Sequence, residues 1–214
     1  MGKVVFDISM SLDGFIAAAN RRPEEPLGDG GQRLHDWAMG EDERNRKLLE
    51  QEIAEEGAVI AGRETYDSSV PWWGADGPTG PARRPVFVVT HEAPADSPEG
   101  GVYTFVTGGI ESALEQARAV AGERTVGVMG GASIGQQFIA AGLVDEIQPH
   151  LVPVLFASGT RTFEHLGDEH IELEPLQVVE TPSAIHLRFR SVKERTDGDR
   201  RRETCCGARV DAGA

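Results

Sequence analysis

A chain of 214 residues, 39% hydrophobic and 26% charged, has the make-up of an ordinary globular protein and the length for one large or two small domains. Its formal net charge of −14 argues against non-specific binding to nucleic acid or anionic membranes, since both need a basic face. No apolar run approaches the roughly 18 residues of a membrane span. The only cysteines, Cys205 and Cys206, are adjacent and cannot staple a fold, which points to a reducing, cytoplasmic setting.

At the N-terminus, Val4, Phe6, Ile8 and Met10 alternate with Asp7 and Ser9, the pattern of a strand and not of a signal peptide. A Pro/Gly-rich loop from Asn20 to Gly31 follows. Leu34 to Glu56 then carries Trp37, Leu48, Leu49 and Ile53 among acids and reads as one helix capped by Gly57. Short apolar strands are expected over Ala58–Ala61 and Val86–Thr90. Between Ile110 and Ala121 a helical stripe of Ile110, Ala113, Leu114, Ala117 and Ala121 is closed by Gly122.

Val126 and Val128 form a buried strand that runs into Gly130 and Gly131 and opens a helix. Ile134, Phe138 and Ile139 recur at helical spacing there, with Gln136 and Gln137 turned away. A helix start after a glycine pair leaves backbone N–H groups free, a natural seat for a phosphate. Arg33, Arg63, Arg83 and Arg84 are available to an anionic ligand. After a strand from Glu146 to Leu155, Ile171–Glu180 and Ala184–Val192 read as an antiparallel hairpin. In it Ile185, Leu187 and Phe189 would face the core, and His186, Arg188 and Arg190 the water. The βαβα order implies an α/β fold, a mainly parallel sheet with helices on both faces, in one domain over 1–193. Residues 194–214 lack apolar periodicity and read as a disordered tail, its vicinal cysteines too few for a metal site.

Six segments in this order resemble the dihydrofolate reductase-like superfamily: Ser9-Met-Ser-Leu-Asp-Gly-Phe-Ile-Ala17, Gly62-Arg-Glu-Thr-Tyr66, Trp72/Trp73, Val88-Val-Thr-His91, Val128-Met-Gly-Gly-Ala-Ser133 and Val152-Pro-Val-Leu155. Within it the chain is most similar to the branch of the riboflavin-biosynthesis reductase domain, from Met1 to about Lys193. The resemblance implies NADPH as cofactor and hydride transfer to a C=N or C=O group. It implies that Gly62, Arg63 and Thr65 hold cofactor phosphates, with Thr90 and His91 beside the adenosine 2′-phosphate. Gly130, Gly131, Ala132, Ser133 and Ile134 fall under the pyrophosphate, and Ser9, Ile16 and Ala17 flank the nicotinamide.

By position, Asp36 corresponds to the carboxylate with which folate-reducing members grip the pterin, with Glu41 and Asp42 as rivals. The loop before it departs from the folate pattern, which turns the expected substrate from dihydrofolate to another small heterocycle or carbonyl. Asp13 and His150 are candidates for the substrate side, Asp13 also as the cap of its own turn. A homodimer is expected from the resemblance alone. A non-catalytic nucleotide-binding module and a dihydrofolate reductase are the competing readings.

Overall fold

Strand β1 (Val4–Ser11) runs through the interior of the sheet and organises everything around it. After it come β2 (Phe15–Ala18), a 3-10 turn at Gly31–His35, α1 (Asp36–Met39), α2 (Glu43–Glu55), β3 (Glu56–Gly62), α3 (Arg63–Trp73), β4 (Val86–Val89) and β5 (Tyr103–Val106). The second half adds α4 (Gly109–Ala121), β6 (Thr125–Met129), α5 (Ala132–Ala140), β7 (Glu146–Val152), β8 (Gly159–Arg161), β9 (Leu173–Glu180) and β10 (Ile185–Ser191). This is a computed structural model, and it describes residues 2–192. The expected tail and Cys205–Cys206 lie outside the described residues.

The main sheet has the order β5-β4-β3-β6-β1-β7-β10-β9. Its first six strands are mutually parallel, and β10 is antiparallel to both β7 and β9. A separate antiparallel pair joins β2 to β8.

Alternation along the strands gives the sheet two unlike faces. One carries Val4, Phe6, Ile8, Ala58, Ile60, Val126 and Val128, and α4 and α5 cover it with Ala113, Leu114, Ala117, Phe138 and Ile139. Gly135 lets α5 settle directly on Phe6, since a Cβ there would come within 2.3 Å of the ring. Among the described residues the opposite face carries two apolar patches. Val59, Ala61, Val86 and Val88 meet Tyr66 of α3, and Val152 and Ala184 meet Leu34 and Trp37. Between these patches the face is polar, and α2 lies over it.

Four local expectations are corrected. The single helix over 34–56 is broken after Met39, and α2 restarts at Asp42, whose carboxylate accepts from the amides of Arg44 and Asn45. Gly57 is no helix cap but part of β3, pressed so closely on Ala121 that a Cβ would lie 2.8 Å from it. Gln136 does not turn away, because its amide is buried and donates to the carbonyls of Arg161 and Thr162. In β10 the expected faces are reversed at the start: His186 is 3% exposed and Ile185 43%. The buried side there is the polar one, because α2 covers it.

Candidate active site

The C-terminal ends of β3, β4 and β6 lie side by side, and ligands of open parallel sheets bind outside such ends. At the end of β3, Gly62 passes within ordinary contact of Ile134, where a Cβ would sit 3.6 Å away. The chain turns directly into α3, which places Arg63 and Thr65 in its first turn. At the end of β6, Gly130 has φ 79°, and a Cβ there would fall 2.2 Å from Thr65 Cγ2. The amide of Gly131 donates to Thr65 Oγ1 at 2.7 Å. Thr65 thus ties two strand ends together, and this glycine pair is shaped by a side chain of its own protein. The following α5 has no side-chain cap, so the backbone donors of Ala132, Ser133 and Ile134 open the helix without one. Ser133 is exposed, its hydroxyl held by Gln137 Nε2 at 3.1 Å.

Arg63 is fixed on two sides. Its Nε donates to both oxygens of Asp67, at 2.7 and 2.8 Å, and Nη1 donates to the Glu92 carbonyl at 2.8 Å. Thr90 Oγ1 lies 3.5 Å from Nη1 and itself donates to the Glu92 carbonyl. Among the described residues nothing accepts from Nη2. The structure therefore brings Gly62, Arg63, Thr65, Thr90, Gly130 and Gly131 into one crescent, with His91 exposed at its outer end. Arg83 and Arg84 face elsewhere: Arg83 pairs with Asp76, and Arg84 Nη2 reaches the Ile53 carbonyl.

The residues expected on the nicotinamide and substrate side are differently occupied. Ser9 Oγ accepts from the Trp37 indole at 2.9 Å. Ile16 and Ala17 lie in β2, with Ala17 buried. Asp36 is exposed at the start of α1, one residue before that indole. Asp13 ties its own turn to the 156–157 backbone. It accepts from Ser11 Oγ at 2.6 Å and from the amides of Phe156 and Ala157, and these bonds, Ser11's first, hold its carboxyl below the usual range.

His150 is 1% exposed, beneath Trp37, with ring centroids 4.3 Å apart. Burial alone would lower its pKa, but the charge and hydrogen bond of Asp7, with help from Glu52, outweigh it and raise the pKa. The network then assigns the protons. His150 donates from Nε2 to Asp7 at 3.2 Å and from Nδ1 to His186 Nδ1 at 2.7 Å, and neutral His186 donates from Nε2 to Asn45 Oδ1 at 3.0 Å. Burial and the neighbouring His150 push His186 down to about 4. On the other side Gln148 Nε2 donates to Asp7 and to Glu52. Burial first, and then the charge of Asp7, raise Glu52 to about 8. Glu56 rises to about 8 for the same reasons. Asp7, Glu52 and His150 offer three ligand atoms within 4.8 Å of one another, the arrangement of a cation site, but Gln148 and the histidine protons already bind these groups together.

The profile of the RibD C-terminal domain matches residues 2–187. The chain belongs to that family. No curated protein matches it. Among solved structures it is similar to a protein attributed to riboflavin biosynthesis in Shewanella sp. PV-4, at 22% identity and TM-score 0.64, covering 90% of this chain and 100% of that one. It is similar to the Thermotoga maritima diaminohydroxyphosphoribosylaminopyrimidine deaminase/5-amino-6-(5-phosphoribosylamino)uracil reductase, at 16% identity and TM-score 0.59, over 89% of this chain but only 57% of that one. Dihydrofolate reductase from Enterococcus faecalis, complexed with NADP(H), is similar at 17% identity and TM-score 0.55, over 90% and 98% of the two chains. RibD C-terminal membership and these likenesses give the chain a riboflavin-pathway reductase-like fold. No described helix is long and apolar enough to cross a membrane.

Sequence reasoning missed Asp67 and the linkage of Thr65 to Gly131. The i,i+4 spacing of Arg63 and Asp67 on one helix was the available signal. It also missed Asp7, Glu52 and His186, which come together only through the sheet.

Proposed function

We propose that this chain is an NADPH-dependent reductase of a small heterocyclic or carbonyl substrate, of the kind named for the Thermotoga relative. The observation that carries the reading is the crescent at the ends of β3, β4 and β6, where donors remain uncommitted: Arg63 Nη2 and the uncapped start of α5. A dinucleotide offers more than one phosphate to such donors. When bound, the dihydronicotinamide supplies the hydride.

The chain's own residues hold and orient. Arg63, with Thr90 and His91 beside it, takes the 2′-phosphate. Gly62, Thr65, Gly130, Gly131, Ala132, Ser133 and Ile134 shape and line the seat of the pyrophosphate. Ser9, Ile16 and Ala17 border the nicotinamide, with Ser9 fixed by Trp37. Asp36, the exposed carboxylate beside that tryptophan, accepts hydrogen bonds from the substrate and orients it. Asp13 and His150 serve the substrate side through what they position, Asp13 the 156–157 backbone and His150 the Trp37 ring. A cytoplasmic homodimer of one reductase domain per chain completes the reading.

Fluorescence titration with NADPH and NADH tests it. Arg63→Ala should weaken NADPH by tenfold to a hundredfold, the value of one charge-assisted contact, while NADH changes little. Equal loss for both would remove Arg63 from the 2′-phosphate. An oxidation screen across pterins, pyrimidines and quinoid carbonyls then identifies the substrate class.

A further inference from the structure

We propose that Asp67 sets the choice between the phosphorylated and unphosphorylated nicotinamide cofactors and admits NADH alongside NADPH. The inference rests on the cofactor reading of Arg63 given above. A free guanidinium offers an anion two donor edges. Here both oxygens of Asp67 lie on Arg63 Nε, at 2.7 and 2.8 Å, and the Glu92 carbonyl occupies Nη1. One edge is left for a ligand, with a carboxylate bound to the same guanidinium.

The surroundings add to this. A groove of about 390 Å³ borders Arg63, lined by Tyr66, Asp67, Pro71, Asp96 and Ser97. Two carboxylates and one guanidinium thus face the groove. A 2′-phosphate brings nearly two negative charges to this place. The side chains of Arg63 and Asp67 are 36% and 50% exposed, so water moderates the repulsion without abolishing it.

Each Asp67 oxygen keeps a lone pair beyond the one facing Arg63. A hydroxyl can donate to it, which is the chemistry by which a carboxylate reads a ribose 2′-OH in dinucleotide sites. The pair therefore offers a donor edge to a phosphate and an acceptor edge to a hydroxyl.

Titration of the full chain and of Asp67→Asn with NADPH and NADH, at low and high salt, is the test. In the wild-type chain the two affinities should lie within about tenfold of each other. Asp67→Asn keeps the size of the side chain and removes its charge. It should raise the NADPH/NADH affinity ratio about tenfold at low salt, and less at high salt. Asp96→Asn, further from the guanidinium, should move it in the same direction by less. An unchanged ratio in Asp67→Asn, while Arg63→Ala still weakens NADPH selectively, overturns this inference and leaves the cofactor reading standing. A loss of NADPH binding in Asp67→Asn also overturns it, since Asp67 would then only hold Arg63 in place. If Arg63→Ala weakens both cofactors equally, the reading beneath the inference fails and the inference with it.

Discussion

Two polar regions lie on this sheet, and they differ in what they leave unsatisfied. At the ends of β3, β4 and β6 the donors exceed the acceptors: Arg63 keeps a free edge and α5 begins without a cap. Beneath α2 the reverse holds. Asp7, Glu52 and Glu56 crowd together, and the protons of His150 and Gln148 are already given to Asp7, Glu52 or His186. Open valence marks a place for a ligand. A closed circuit of hydrogen bonds, however dense in catalytic residue types, is scaffold that fixes one packing of helix on sheet.

The sharpest way to break this contrast is at Gly130. Gly130→Val must adopt a left-handed backbone and place its Cβ where Thr65 stands. It should cost about 4 kcal/mol or more, a large part of a domain's stability. Thermal unfolding by circular dichroism checks it, and a melting temperature near that of the wild type would show that Thr65 is not held against this turn. Gly131, at φ −31° with a Cβ 3.2 Å from Thr65 Oγ1, should tolerate alanine far better.

Second in size is His150→Ala. It leaves Asp7 and His186 without their shared donor and opens a cavity under Trp37, at about 3 kcal/mol. If the region under α2 is scaffold, the folded fraction should still bind NADPH with nearly wild-type affinity. A folded variant that has lost the cofactor would join the two regions into one site.

Asp36→Asn gives a third, purely kinetic separation. With its carboxylate exposed, the change should leave melting unaltered within about 0.5 kcal/mol and leave NADPH affinity intact. Turnover on whichever substrate the screen identifies should fall by about a hundredfold, the usual worth of a contact that orients the substrate. Unchanged turnover would take Asp36 out of the reaction.

The smallest expected effect is one of pH. Glu52 titrates at 4.5 by its ordinary value and at about 8 in the folded chain. Between those values the native state holds a proton that the unfolded state lacks, so this residue's contribution weakens as pH rises through the interval. Glu52→Gln should therefore gain melting temperature over the wild type by several degrees at pH 9 and by little at pH 5. An equal gain at both would mean that Glu52 is charged throughout.

Much of the frame was legible from periodicity. Val4/Phe6/Ile8, the Ala113–Ala117 stripe and Ile134/Phe138 predict their elements because large apolar surfaces decide those segments. What escaped was decided elsewhere. α3 carries Ser68, Ser69 and Pro71, a poor helix by propensity, and is held by Tyr66 against Tyr103 and Phe105. β5, an edge strand, buries only Val106 fully. The polarity of β10 was legible but its direction was not, because no pattern within 185–191 records that α2 lies over His186. In the crescent, glycines and the arginine announce themselves by type. Asp67 does not, since an acid on an exposed helix face looks like any other.

The position of β1 also bears on how the molecule is made. Val4 pairs with Val126, and Val5 with Glu146. Both neighbours of β1 thus lie more than a hundred residues further along the chain, and Phe6 and Ile8 have no sheet to join until β6 has been made. Closing so long a loop is slow. The fold should assemble in a late concerted step, with β1 the segment most in need of protection beforehand.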